Sequence, residues 1–125
     1  MELLFRALGD RTRLRLLNLM GQDEVCVCYF SEVLQTHQPK ISRHLAYLRR
    51  AGIVGARREG KWMHYRVIEP GDRRAAEVLR NIRDWFANDP EMQRDRGRLV
   101  RMCCVKVPEH LRAAPKPPLI IAEVR

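Results

Sequence analysis

A mainly α fold with a two-stranded β wing, a winged helix-turn-helix, is what the sequence predicts, on three observations. Apolar residues recur at helical spacing in four separate segments over the first fifty residues. The period then drops to two on either side of a glycine turn, and a long amphipathic segment follows. Positive charge is also concentrated: between Gln38 and Arg66 stand eight Lys and Arg against Glu59 alone, in a chain of net charge +9.

The totals bound the rest. A length of 125 residues suits one domain with a real core. Apolar residues at 46% and charged residues at 31% exclude wholesale disorder. No apolar run approaches the roughly 18 residues of a membrane span. "MELLFRALGDR" also lacks the features of a signal peptide. A cytoplasmic location with no membrane partner is expected. The division expected is a DNA-binding and dimerisation domain over 1–106 and a tail over 107–125, extended by Pro108, Pro115, Pro117 and Pro118.

Each element follows from local chemistry. "ELLFRALG" places Leu3, Leu4, Ala7 and Leu8 on a short helix ended by Gly9. Asp10 caps a second, "RTRLRLLNLM", with Leu14, Leu17 and Met20 on one face and Gly21 stopping it. A short third helix carries Cys28, Phe30, Val33 and Leu34, and "QTHQ" is a polar turn. In "PKISRHLAYLRRAG" Pro39 fits the first turn, Ile41, Leu45 and Leu48 form the buried stripe, and Gly52 ends the helix. "IVGARR" and "WMHYRVI" are strands joined through Gly60. Asp72 then caps the long helix "RRAAEVLRNIRDWFAN". Its stripe of Ala75, Leu79, Ile82, Trp85 and Phe86 is too long and apolar to lie bare. Burial in a dimer interface is the expectation, with packing against the first helix as the alternative. Beyond Pro90 a further helical stretch carries "LVRMCCV".

A short helix and turn before a basic-faced helix is the arrangement that sets a recognition helix in the major groove of double-stranded DNA. Residues early in that helix lie nearest the bases, so Gln38, Lys40, Ser42 and Arg43 are the groove candidates. His44 reaches a phosphate or packs between helices, and Tyr47 contacts the backbone or covers its own helix. In the wing Arg57, Arg58 and Lys61, with His64 and Tyr65 beside them, are candidates for positioning on phosphates.

Four cysteines form two tight pairs, Cys26 with Cys28 and Cys103 with Cys104. In a reducing compartment such thiols bind metals, do redox work or fill a core. An enzyme is not expected: no thioredoxin-like βαβ pattern surrounds Cys26-Val-Cys28, and no catalytic cofactor is called for.

The run "HQPKISRHLAYLRRAGIVGARREGKWMHYRV", preceded by "ALGDRTRLRLLNLM" and "EVCVC", resembles the ArsR family of metalloregulatory repressors, and its arsenical-resistance branch in particular. The resemblance covers about the first ninety residues. It implies a homodimer, joined through the first and long last helices, that binds a palindromic operator and lets go when a toxic ion binds. The implied inducer is As(III), or Sb(III) or an organoarsenical, held by Cys26 and Cys28. Soft thiolates suit such ions. Related sensors often carry a third cysteine where this chain has Ser31; either two thiols suffice or Cys103 or Cys104 supplies the third. Two residues apart in a helix are turned by about 200°, so capture is expected to need the first turn of the third helix to open. That helix terminus is also expected to lower both thiol pKa values. The long last helix lacks the His ligands of zinc-sensing relatives, which ranks zinc below arsenic. A thiol-redox (disulfide or persulfide) or other soft-metal signal on the same fold is the alternative.

Overall fold

A computed structural model describes residues 2–105 and 109–115, without the side chains of Cys104 and Val105. The elements run α1 (Glu2–Leu8), α2 (Arg11–Met20), β1 (Val25–Cys26), α3 (Val27–Leu34), α4 (Gln38–Arg50), β2 (Val54–Glu59), β3 (Trp62–Val67), α5 (Arg73–Phe86) and α6 (Pro90–Val100). A π-helical turn over Arg101–Val105 and a 3-10 turn over Glu109–Leu111 follow.

The caps fall where local chemistry puts them. Asp10 accepts from the Arg13 N–H, and Asp72 from the N–H groups of Arg74 and Ala75. Asp89 caps α6 in the same way, with Pro90 at the first helical position. Gly21, Gly52 and Gly60 close α2, α4 and the hairpin at positive φ, conformations that disfavour any side chain.

The core gathers Leu16, Leu17 and Met20 of α2, Phe30 and Val33 of α3, and Ile41, Leu45 and Leu48 of α4, all fully buried. The buried stripe of α4 fixes its rotation, leaving Gln38, Lys40, Ser42 and Arg43 on the open side. On α5 the expected stripe divides in two. Ala75, Leu79 and Phe86 face the core, while Val78 and Ile82 are half-buried and Trp85 stands 68% exposed. Leu3 and Phe5 of α1 are likewise exposed.

Two points differ from expectation. The two-stranded wing stands as β2 and β3, but β1, not foreseen, joins it in an antiparallel sheet of order β1-β3-β2, with Val25 opposite Tyr65 and Cys26 opposite His64. A strand of two residues carries no alternation a sequence can display. The tail also begins as packed structure, for Leu111 and Ala114 are buried and the Tyr29 hydroxyl donates to the Ala114 carbonyl. Among the described residues no helix is long and apolar enough to cross a membrane.

Candidate nucleic-acid interface and thiol site

The first turns of α4 present Gln38, Lys40, Ser42 and Arg43, all exposed. Among the described residues neither Lys40 nor Arg43 is in an ion pair. His44 differs. Its Nδ1 lies 3.3 Å from an Arg13 guanidinium nitrogen and 4.0 Å from Asp10, and its side chain is largely buried. Burial lowers its pKa, and Arg13, Lys40 and Arg43 act in the same direction, so at neutral pH it is an uncharged packing imidazole. Tyr47 lies under the Arg13 guanidinium, 4.3 Å from the ring centroid, with Arg50 at 5.4 Å. Arg13 also donates to the carbonyls of Ala7 and Arg6, so one side chain joins the end of α1 to α4. Sequence reasoning missed it, because nothing in "DRTRLR" says which arginine turns inward.

The wing candidates separate as well. Arg58 and Lys61 are exposed, and Lys61 lies over the Trp62 ring. Arg57 grips Glu24 through two nitrogens, at 2.8 Å and 3.1 Å. His64 and Tyr65, expected near phosphates, are buried instead. They sit on the central strand of the sheet, where His64 bonds to Glu59 at 3.0 Å and Tyr65 packs on Phe30.

The thiol pair straddles a boundary. Cys26 ends β1 with extended backbone and is the N-cap of α3, while Cys28 lies in the helix's first turn. The expected need to open that turn is not met, because the two sulfurs already converge at 3.1 Å, the Cys28 thiol donating to Cys26. One residue on each side of a strand-to-helix junction escapes the 200° separation of an uninterrupted helix. The expectation of two lowered thiols is corrected too. Cys26 is drawn below the ordinary thiol range, chiefly by the Cys28 donor, with the N–H groups of Cys28 and Val27 and the nearby His64 helping against burial. Cys28 moves up, because its proton is held by that acceptor and it is itself buried.

These donors fit a soft ion. Two thiols whose sulfurs already lie 3.1 Å apart could both reach one such ion. One turn beyond Cys28, the Ser31 hydroxyl oxygen is buried with no hydrogen-bond partner among the described residues. Cys103 is buried and interacts with the Tyr29 hydroxyl. Among the described residues no three His, Cys, Asp or Glu side chains gather as a metal site, so Cys103 does not join the pair here. Cys104's side chain lies outside the described residues.

Known proteins echo this architecture. The family model "Bacterial regulatory protein, arsR family" matches residues 10–55. The arsenic resistance transcriptional regulator ArsR1 of Pseudomonas putida is 40% identical over 80% of this chain and 77% of its own length. The arsenical resistance operon repressor of Escherichia coli is 38% identical over 81% of this chain and 86% of its own. Among solved structures, HlyU from Vibrio cholerae superposes with a TM-score of 0.59 at 26% identity, covering 69% of this chain and 90% of that one. A homodimeric winged helix-turn-helix domain from Mycobacterium bovis gives 0.57 at 25% identity over 71% and 80%. The antimony-specific transcriptional repressor AntR gives 0.51 at 28% identity over 69% and 78%.

Proposed function

Because the chain belongs to the arsR family of bacterial regulatory proteins, we propose that it is a cytoplasmic, homodimeric repressor that releases operator DNA when trivalent arsenic or antimony binds Cys26 and Cys28. The observation that carries this is the 3.1 Å convergence of the two sulfurs at the start of α3. That helix packs against α4, whose open face holds Gln38, Lys40, Ser42 and Arg43 for the groove. Arg58 and Lys61 of the hairpin would sit on the phosphates beside it. Leu3 and Phe5 on α1 and Trp85 on α5 are the exposed large apolar side chains that a second copy packing on those helices would cover.

Release follows from linkage. An ion held by both sulfurs would take the place of their protons and would set their separation and angle by its own bonding. Any difference between that geometry and the operator-bound one falls on the start of α3, and α4 rests on α3. Whatever shape the ion prefers over the operator-bound shape lowers operator affinity by the same factor that DNA lowers ion affinity. The test is a gel-shift titration with arsenite. Cys26→Ser and Cys28→Ser should hold operator like the parent and stay bound at arsenite concentrations that strip the parent from it. Variants that let go at the parent's midpoint would overturn the assignment.

The same proximity favours one other reading, a thiol-redox repressor in which an oxidant removes two electrons and two protons to join Cys26 to Cys28. Release by peroxide, with no response to arsenite under reducing conditions, would select it.

A further inference from the structure

Resting on that reading and going beyond it, we propose that Glu24 and Arg57 are positioning residues that make the wing move with the thiol pair, so that ion capture reaches both DNA-contacting elements together. The register supplies the first argument. Cys26 lies opposite His64, and His64 opposite Arg57, so one cross-strand row runs from the sensing thiol through the central strand to the outer strand of the wing. Directly opposed residues put their side chains on the same face of a sheet. Glu24, two residues before Cys26, shares that face.

The second argument is the weakness of β1 as a strand. It has two residues, so its ladder to β3 is short. The Glu24–Arg57 pair supplements it from the far side. Strands β1 and β2 are separated by β3 and so stand about 10 Å apart; only two long side chains could bridge that gap. The fork does so with contacts of 2.8 Å and 3.1 Å. Glu59 adds to it, reaching Arg57 at 3.9 Å and the buried His64 at 3.0 Å. Residues 24–26 are thereby fastened to the hairpin at both its strands, and α3 starts at the next residue.

The third argument is what the pair does not do. Its side chains are 51% and 27% exposed, and partly exposed ion pairs contribute little to stability. Glu24 also occupies the Nε–Nη2 edge of the Arg57 guanidinium, so that edge is not offered to a phosphate while the pair holds. A shift of Cys26 instead passes through this fork to β2 and so to the hairpin end that carries Arg58 and Lys61. Without the fork, β1 could follow the ion while the hairpin stayed on the DNA.

The experiment uses the full chain and an operator duplex selected by the protein from a random pool. Operator affinity is measured by fluorescence anisotropy with and without saturating arsenite, and arsenite binding to DNA-free protein by thiolate–arsenic absorbance. The ratio of the two operator affinities is the readout, so a change in basal affinity cancels. Glu24→Gln and Arg57→Gln should bind arsenite with unchanged stoichiometry while the ratio falls about tenfold, within the usual range of allosteric coupling. The exchanged pair Glu24→Arg with Arg57→Glu should bring the ratio back towards the parent's. Singles that keep the parent's ratio would overturn the inference, as would an exchanged pair no better than the singles, or variants that lose arsenite absorbance. A parent protein whose ratio is one is a separate failure: it removes the sensing reading, and this inference with it.

Discussion

Replacing Ser31 by cysteine should turn a two-sulfur site into a three-sulfur one without cost to the fold. The hydroxyl oxygen of Ser31 is buried and has no partner among the described residues, and an unsatisfied buried polar group costs about 1–3 kcal/mol. A serine in a helix can still turn to its own preceding carbonyls, so the recoverable part lies near the lower end, about 1 kcal/mol. Ser31→Cys and Ser31→Ala should therefore both unfold at or slightly above the parent's temperature. Their arsenite binding should differ. Ser31 lies three residues after Cys28 on α3, the spacing that brings side chains together along one face. A third thiolate tethered there adds its affinity at high effective concentration, a gain of about 100-fold at the modest end of such chelation. Titration of the thiolate–arsenic absorbance should show the tighter midpoint for Ser31→Cys and none for Ser31→Ala, with X-ray absorption counting three sulfurs against two. A Ser31→Cys protein that binds arsenite no better than the parent, still through two sulfurs, would refute the placement of Ser31 on the ion's side of the helix.

Other consequences are independent of that residue. Asp95 is 1% exposed and accepts from Arg15 at 2.7 Å and 2.9 Å. Asp95→Ala leaves that largely buried guanidinium with only Glu91 at 4.0 Å, a loss of about 3 kcal/mol and about 10 °C in Tm. Arg15→Met combined with Asp95→Leu should recover most of it; a double variant as unstable as the single would contradict the account. Lys61→Ala should weaken binding on all DNA sequences alike and flatten the salt slope by about one unit per bound protomer, read from anisotropy at several salt concentrations. The lowered pKa of His44 means the unfolded chain binds the extra proton first as pH falls. Its contribution is therefore present above the ordinary His pKa of about 6.5 and drains as pH falls from there towards the lowered value. Urea midpoints at several pH values should show a shallower acid decline for His44→Asn than for the parent, and equal declines would remove the burial argument.

What the sequence could show was whatever depends on neighbours along the chain. The N-caps Asp10 and Asp72, the stops at Gly21 and Gly52, and the stripe of Ile41, Leu45 and Leu48 are local facts, and each stands as read. Asp89-Pro90 carries the same kind of signal for α6 and was legible, though only the Pro entered the reading. Pairings across the chain were not legible. Glu24 meets Arg57 because a two-residue strand docks on the hairpin, and Arg15 meets Asp95 because α6 folds back on α2. The thiol geometry lay between the two cases. The residue spacing was plain, but whether the sulfurs meet turned on one backbone junction between Cys26 and Val27, finer than periodicity resolves. Trp85 was read in a stripe for a second copy to cover, and in the single chain it stands exposed. Only the packing of Phe86 inward, at the adjacent position, separates the core face from the exposed one.

The same distinction bears on the charge. A net charge of +9 does not say which cations face DNA, and the structure shows that many do not have to. Arg11, Arg15 and Arg57 are held by carboxylates, and Arg13 by backbone carbonyls and an aromatic ring. Lys40 and Arg43 on α4, and Arg58 and Lys61 at the hairpin, are exposed and make no ion pair among the described residues. Two protomers offering those four cations apiece would release counterions with a log–log salt slope of about −7 if all of them met phosphates. Base-reading by Arg43 would make it shallower; recruitment of Arg57 would steepen it towards about −9. The ion pair to Glu24 therefore sets where the slope falls as well as how the wing is tied. A slope at the steeper limit in the parent that returned towards about −7 in Arg57→Gln would mark Arg57 as one of the cations on phosphate.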